Sequence, residues 1–391
     1  IALTTLMGEA HFDIALPATF GIPDLVESGA IAQLDELAGK YEPENYAQGM
    51  LYPIGNYYKD KFYGYLTDGD PYLAFYNGKL LNDPEFRKQY QKIHGREIRI
   101  PQTWEEFDQI VEFFYKPEQD IYGGSLYRTQ NYIVWEFWMR FHSKGYFPLS
   151  ENMEPQINNA AGVKALEELI AVSKYLDPKV NSHEFFENIE SFSQGGKFVD
   201  FGWGGPYKFF MGENSKIRSH VITAVPPGGN FNGKIVRVPY FNWGWNYTIS
   251  SFSKEKEIAY LYTLYSTSPK GSLIALKEGI GGGGYFDPYR ESHLTDPEML
   301  AVYGKQFLDA QKYSMTKGIP DFYLKGREDY FNALKEGVMA AYLGKATPKQ
   351  ALDLVAKKWN ITTINNGSKS QKEQWLFLRS KYPEPIKSLL K

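Results

Sequence analysis

The chain has no cysteine among its 391 residues. That absence excludes structural disulfides, a thiol nucleophile and thiolate metal sites. An excess of one charge sign is missing too: 43 Lys+Arg against 46 Asp+Glu leave a formal charge of −3. So mild a balance argues against a broad nucleic-acid footprint or an anionic membrane surface as partner. No apolar run approaches the roughly 18 residues that span a bilayer. The six histidines, at 11, 94, 142, 183, 220 and 293, lack metal-ligand spacing and read as surface or satisfied core residues. No Gly-Lys pair is followed by Ser or Thr, and neither G-x-S-x-G nor H-E-x-x-H occurs, which excludes the P-loop, the hydrolase elbow and the zincin motif. Gly279-Ile280-Gly281-Gly282-Gly283-Gly284 spells a dinucleotide fingerprint, but it follows a helical stretch and starts no helix, so its context fails. Asp68-Gly69-Asp70 hints at calcium, yet the twelfth position of such a loop is Lys79, where an EF-hand needs Glu. The acid pairs Glu105/Glu106 and Glu167/Glu168 sit on expected solvent faces.

What the chain has in quantity is aromatic: Tyr 30, Phe 26 and Trp 8, together 16 % of its residues. Its length corresponds to two or three domains at roughly 150 residues each. Helix starts are legible. Thr103-Trp104-Glu105-Glu106 reads as a capping box ahead of Phe107, Ile110, Val111 and Phe114 at helical spacing. Val163, Leu166, Leu169 and Ile170 make a second stripe, and Ile258, Leu261, Tyr262 and Tyr265 a third. Ser268-Pro269 opens a helix closing near Gly279, and one around 328–343 ends at Gly344. Thr295-Asp296-Pro297-Glu298, Thr347-Pro348-Lys349-Gln350 and Ser370-Gln371-Lys372-Glu373 are further box-type starts. Short strands are expected at 12–16, 72–76, 198–201, 221–225 and 245–250, with the chain after about 253 almost wholly helical. Strands alternating with helices imply α/β layers.

Three clusters place rings among glycines and polar groups: 201–207 with Trp203, 241–246 with Trp243 and Trp245, and Tyr285-Phe286-Asp287-Pro288-Tyr289-Arg290. Sugars need this mixture. The C–H face of a pyranose lies flat on a ring, while its hydroxyls need charged or amide partners at its edge. Packing of ordinary loops is the alternative reading for each cluster taken singly.

The clusters fall in a familiar order. Phe12-Asp13-Ile14-Ala15-Leu16, then Gly29 and Leu34-Asp35, lead to Leu73-Ala74-Phe75-Tyr76-Asn77-Gly78-Lys79 and Pro101-Gln102-Thr103-Trp104-Glu105-Glu106. Gly195-Gly196-Lys197 with Gly202-Trp203, Ser253-Lys254-Glu255-Lys256-Glu257 with Thr267-Ser268-Pro269, and Gly344-Lys345-Ala346-Thr347-Pro348 follow. In these motifs, from about residue 10 to about 360, the chain resembles the maltose-binding-protein-like solute-binding proteins of ABC sugar importers (family 1). Family members carry a strand and a long helix ahead of the Phe12–Leu16 stretch. At most the tail of that helix, Ala2–Met7, is expected here, so the start of the chain reads as processed or incomplete.

The resemblance implies an α/β, two-lobed periplasmic-binding-protein fold of type II, hinge-linked, with a ligand cleft between the lobes. Lobe one would be 1–76 plus 246–312, and lobe two 77–245 plus 313–391. The implied function is capture of a sugar or oligosaccharide by lobe closure and delivery to an ABC permease. It would be carried out by a monomer in the periplasm, or lipid-anchored outside the cell, with no catalysis, cofactor, metal or nucleic acid. Residues matching the family's sugar contacts are Thr19, Phe20, Asp70, Tyr132, Trp135, Trp203, Phe322 and Tyr323. Trp243, Trp245, Tyr285, Asp287 and Arg290 join them from the aromatic clusters, and Phe20 stands where an acid is common. Two other readings remain open: a carbohydrate lyase or hydrolase with an aromatic groove, and a carrier for a polyol or anionic sugar derivative, with Arg128 and Arg290 as anion-facing groups.

Overall fold

The computed structural model describes residues 12–279 and 286–391; for Asn242, Trp243, Glu278 and Gly279 the backbone alone is described. Ala2–Met7, Gly281–Gly284 and Tyr285 therefore lie outside the described residues. The chain divides into two compact units. One holds residues 1–71, 241–316 and 320–327, and the other 72–240, 317–319 and 328–391. The boundaries expected at 76/77, 245/246 and 312/313 thus fall within a few residues of the division. Residues 320–327, with Phe322 and Tyr323, belong to the first unit and not to the second as expected.

In the first unit the long strand Tyr240–Ile249 is the centre. It pairs antiparallel with Ile14–Ala15 and with Gly64–Pro71. Register shifts between Phe241 and Trp243 and between Trp245 and Asn246 mark bulges, which re-aim side chains at the strand's middle. The Gly64–Pro71 strand is buried along its whole length although it reads Gly-Tyr-Leu-Thr-Asp-Gly-Asp-Pro. A strand so rich in turn residues carries no period-2 signal, which is why sequence patterning passes over it. A core of Leu34, Tyr46, Phe62, Tyr65, Ile249 and Tyr260 lies on one side of this sheet.

The helix expected behind Ser253 forms over Lys256–Thr267, but its face is the opposite of the one expected. Ala259, Tyr260, Thr263 and Thr267 are its buried residues, while Ile258 is 64 % and Tyr265 65 % exposed, with Leu261 and Tyr262 also exposed. Tyr260 decides the rotation. Its hydroxyl reaches the Tyr65 hydroxyl at 2.6 Å inside the core, and small Thr and Ala side chains let the helix approach.

The second unit is built on the sheet order Tyr122–Gly124, Lys197–Gly202, Leu73–Asn77, Val221–Ala224. Its two middle strands are buried throughout, as expected of a sheet covered on both faces by helices. The Trp104–Phe113 helix starts as expected: Thr103 Oγ1 accepts from Glu106 N at 3.2 Å. Glu106, however, reaches back to Gln102 N (2.8 Å) instead of Thr103 N. The Thr347 box forms in full, with Gln350 N donating to Thr347 Oγ1 and Thr347 N to Gln350 Oε1. Two starts differ. Asp296, not Thr295, caps Pro297–Lys317, since its Oδ1 accepts from Glu298 N and Met299 N. The last long helix begins at Ser368, behind left-handed Gly367, ahead of the expected Ser370. The helix Ile133–His142 has every residue buried, its Glu136 and Arg140 included.

Candidate ligand-binding site

In the second unit, the Lys197–Gly202 strand delivers Trp203 at its end, and the Ile133–His142 helix delivers Trp135 one turn past Tyr132. Trp203 stands edge-on to Trp135 and to Tyr72, each with ring centroids 5.3 Å apart, and to Tyr132 at 6.3 Å. Phe185 closes another side at 5.6 Å, and Tyr132 stacks on Tyr127 at 4.7 Å. Three expected contact residues thus form one aromatic wall, in which edge-to-face packing fixes each ring plane. Trp135 lies deep in it and is almost fully buried, while Tyr132 is half-buried. Behind the wall, Asp200 is buried and accepts a hydrogen bond from Asn188 Nδ2 at 2.7 Å; burial pushes its carboxyl well above the usual range. Sequence reading missed Tyr72, Phe185 and Asp200. The signal available for Phe185 was the pair Phe185-Phe186 opening a helix.

Arg128 is not anion-facing. It is buried, and donates through Nη1 to Glu136 at 2.9 Å and to the Tyr127 carbonyl at 2.7 Å. Glu136 also accepts from Arg140 Nε at 2.8 Å, and Arg140 reaches both oxygens of Asp108. The two guanidinium groups outweigh burial and hold the Glu136 carboxyl below its ordinary value.

In the first unit a small pocket is lined by Thr19, Phe20, Tyr52, Phe241, Asp321 and Tyr323, with Phe322 fully buried at its base. Four expected residues meet there. Thr19 Oγ1 donates to Asn246 Oδ1 (2.7 Å), and Asn246 Nδ2 donates to Asn56 Oδ1 (3.0 Å), a buried chain that fixes the wall. A side chain at 55 would run into Thr19 and Asn246, so glycine permits the approach. Arg327 lies over the Phe20 ring, 3.9 Å from its centroid, and pairs with Asp321 in a buried salt bridge. The Asp321 carboxylate, held by Arg327, thus lines the same pocket as the Phe20 ring.

Asp68, Asp70, Asp287 and Trp245 form a second constellation in the same unit. Asp70 and Trp243, and Asp68 and Trp245, are cross-strand pairs; the Trp245 Nε1 reaches diagonally to Asp70 Oδ2 at 2.8 Å. Asp287 N donates to Asp68 Oδ1 at 2.6 Å, and one carboxylate oxygen from each of Asp68, Asp70 and Asp287 lies within 4.8 Å of the others. Burial, reinforced by the other two acids, pushes the Asp68 carboxyl well up; burial raises Asp70 to about 7 against the hydrogen bonds from Trp245 and Asp287. Arg290 stands apart from this group. It is buried, with Nη2 and Nε donating to the Thr267 carbonyl at 2.6 and 3.1 Å and Nη1 to the Tyr46 carbonyl at 3.3 Å, so it ties framework segments together. The side chain of Trp243 and all of Tyr285 lie outside the described residues.

With this geometry in place, comparison with known proteins gives the class. Residues 5–272, more than half of the chain, match the model of the bacterial extracellular solute-binding proteins, and the chain belongs to that family. A probable amino-acid ABC transporter periplasmic-binding protein of Sinorhizobium fredii is 26 % identical over 264 residues, which are 66 % of this chain and 54 % of that protein. The chain thus spans about half the length of that curated relative. Among solved structures, maltose-bound T. maritima MalE3 superposes with a TM-score of 0.76 at 18 % identity, over 92 % of this chain and 86 % of that one. An Agrobacterium vitis solute-binding protein with bound D-mannitol gives 0.74 at 19 % identity, over 93 % and 88 %. One from Agrobacterium radiobacter with ribitol gives 0.73 at 17 %, over 91 % and 86 %. These likenesses establish the two-lobed α/β fold of periplasmic binding proteins. No helix among the described residues is long and apolar enough to cross a membrane.

Proposed function

We propose that the protein is the substrate-binding component of an ABC importer for a sugar or oligosaccharide. In this reading a ligand touching both units binds a closed form better and shifts the population toward it. The closed form then delivers the ligand to a membrane permease. The protein acts as a monomer, in the periplasm or lipid-anchored outside the cell, and without catalysis. The observation that carries the reading is the wall of Trp203, Trp135, Tyr132 and Tyr72. Trp203, Trp135 and Tyr72 are buried against one another and fix the wall, and the half-buried Tyr132 is the ring it presents to the flat face of a pyranose. Thr19, Phe20, Tyr323 and Trp245, the last held by Asp70, are the contacts proposed from the first unit. A missing ligand hydroxyl would leave a buried polar partner unpaired, which is the source of discrimination.

A carrier for a polyol is the second reading, favoured by the mannitol- and ribitol-bound structures that share the fold. An anionic derivative is disfavoured, because Arg128 and Arg290 are engaged by a carboxylate and by carbonyls within their own units. A thermal-shift screen of the full chain over mono- and oligosaccharides, polyols and amino acids tests the proposal. A bound ligand stabilises the folded chain by RT ln(1 + [L]/Kd), read as a higher Tm. Stabilisation by sugars without turnover supports it. Stabilisation by amino acids alone, or products released from an oligosaccharide, refutes it.

A further inference from the structure

We propose that Asn188 and Asp200 are positioning residues for the aromatic wall of the second unit: their hydrogen bond joins the chain segments that carry its rings and so fixes how Tyr132 is presented. The inference rests on the carrier reading only in taking that wall as the surface that meets a ligand. Both side chains are buried, and Asn188 Nδ2 donates to Asp200 Oδ1 at 2.7 Å. Asn188 lies on the Phe185–Ser193 helix, one turn past Phe185, whose ring stands 5.6 Å from that of Trp203. Asp200 lies on the Lys197–Gly202 strand, which ends at Trp203. One bond therefore docks the helix of Phe185 onto the strand of Trp203.

A third segment packs on the same pair. Ser125 N donates to the Val199 carbonyl at 2.9 Å, which lays the chain ahead of Tyr127 alongside Asp200. Burial pushes the Tyr127 hydroxyl well up, and Asp200, Tyr72, Asn188 and Tyr132 are the groups that act on it next. The Tyr127 ring stacks on Tyr132 at 4.7 Å and 26°, and the Thr129 carbonyl accepts from Tyr132 N at 3.1 Å. The inner face of the half-buried ring is thus set by a residue seated on the pair. Burial also pushes the Asp200 carboxyl well up; Asn188, the Phe201 backbone and Ser125 oppose the rise, and no Lys, Arg or His is among the groups acting most strongly on it. A neutral carboxyl in neutral company forms no ion pair, and two apolar side chains would fill the same space without any desolvation cost. What the hydrogen bond adds is direction: it holds two segments in one register, where apolar contact permits several.

The main test needs no ligand, so its outcome is separate from that of the carrier reading. Near-ultraviolet circular dichroism of the full chain reads the asymmetric packing of rings, and the difference between wild type and Trp203→Phe isolates the contribution of the wall. The double variant Asn188→Leu with Asp200→Leu should lose most of that contribution while its Tm stays within a few degrees of wild type. Asp200→Asn, which keeps an acceptor for Asn188, should keep it. A wild-type spectrum in the double variant would overturn the proposal. So would an Asp200→Asn spectrum matching that of the double variant, or a loss seen only with a collapsed Tm, since the pair would then be merely structural. If the double variant does not fold, Asn188→Ala replaces it, with the same loss expected and an unchanged spectrum again overturning the proposal. Where maltose binds the wild type, its Kd should rise about tenfold in the leucine variant and stay within about threefold in Asp200→Asn. An unchanged Kd in the leucine variant would overturn the proposal as well.

Discussion

Two clusters of buried charge, one in each unit, are handled in opposite ways. In the second unit every acid of the Arg128–Glu136–Arg140–Asp108 group faces a guanidinium, and Arg140 also lies 4.3 Å over the Trp104 ring. That region is charge-balanced scaffolding, and it leaves the rings around Trp203 as an apolar wall. In the first unit Asp68, Asp70 and Asp287 crowd one another and meet an indole and a backbone N–H. Paired charges hold a framework rigid, whereas crowded, buried carboxyls are pushed toward their neutral form.

Breaking the scaffold should have the largest effect. Glu136→Ala leaves two buried guanidinium groups short of a partner and should cost about 3–5 kcal/mol, read as a lower urea midpoint. Next comes Trp203→Ala. Because Trp203 packs against four rings, this change should weaken sugar affinity more than tenfold by calorimetry and also lower Tm. Thr19→Val removes a buried donor from Asn246 and should cost about 1–3 kcal/mol in chemical unfolding. Acid should act on both units. Burial lowers His142 in the second and His293 in the first from 6.5 to about 3. Each is held neutral in the folded state, so its contribution is complete above pH 6.5 and is lost as pH falls toward 3. A Tm that stayed flat from pH 7 to pH 4 would contradict this. The smallest effect should come from Ile258→Ser, within about 0.5 kcal/mol of wild type, since that side chain lies outside the core. Tyr260→Ala on the same helix should cost several times more.

Helices with chemical punctuation were legible. Thr347 with Gln350, and Thr103 with Glu106, announce their caps through side chains that bond within the first turn. The Lys256–Thr267 helix was legible as a helix but not in its rotation. Counting Ile, Leu and Tyr favours the outer face, whereas one Tyr260–Tyr65 contact between distant segments sets the inner one. The aromatic part of the site could be read in advance because Trp203 sits among glycines at a strand end. The acid cluster was legible only residue by residue: Asp70 and Asp287 were both expected contacts, but Asp287 lies 217 residues beyond Asp70 in the sequence, and only the fold sets it against Asp68 and Asp70. Arg290 shows the converse, since its neighbours in sequence suggest a ligand and its partners in space are carbonyls.

The central claim is that the Trp203 wall grips a sugar. Titrating oligosaccharides found by thermal shift into wild type and Trp203→Phe, with heat as the readout, tests it most directly. A wild-type Kd near micromolar and at least tenfold weaker binding in a variant that keeps its Tm within a few degrees are the results predicted. Unchanged affinity in that variant, or no sugar bound by wild type at millimolar concentration, would contradict it.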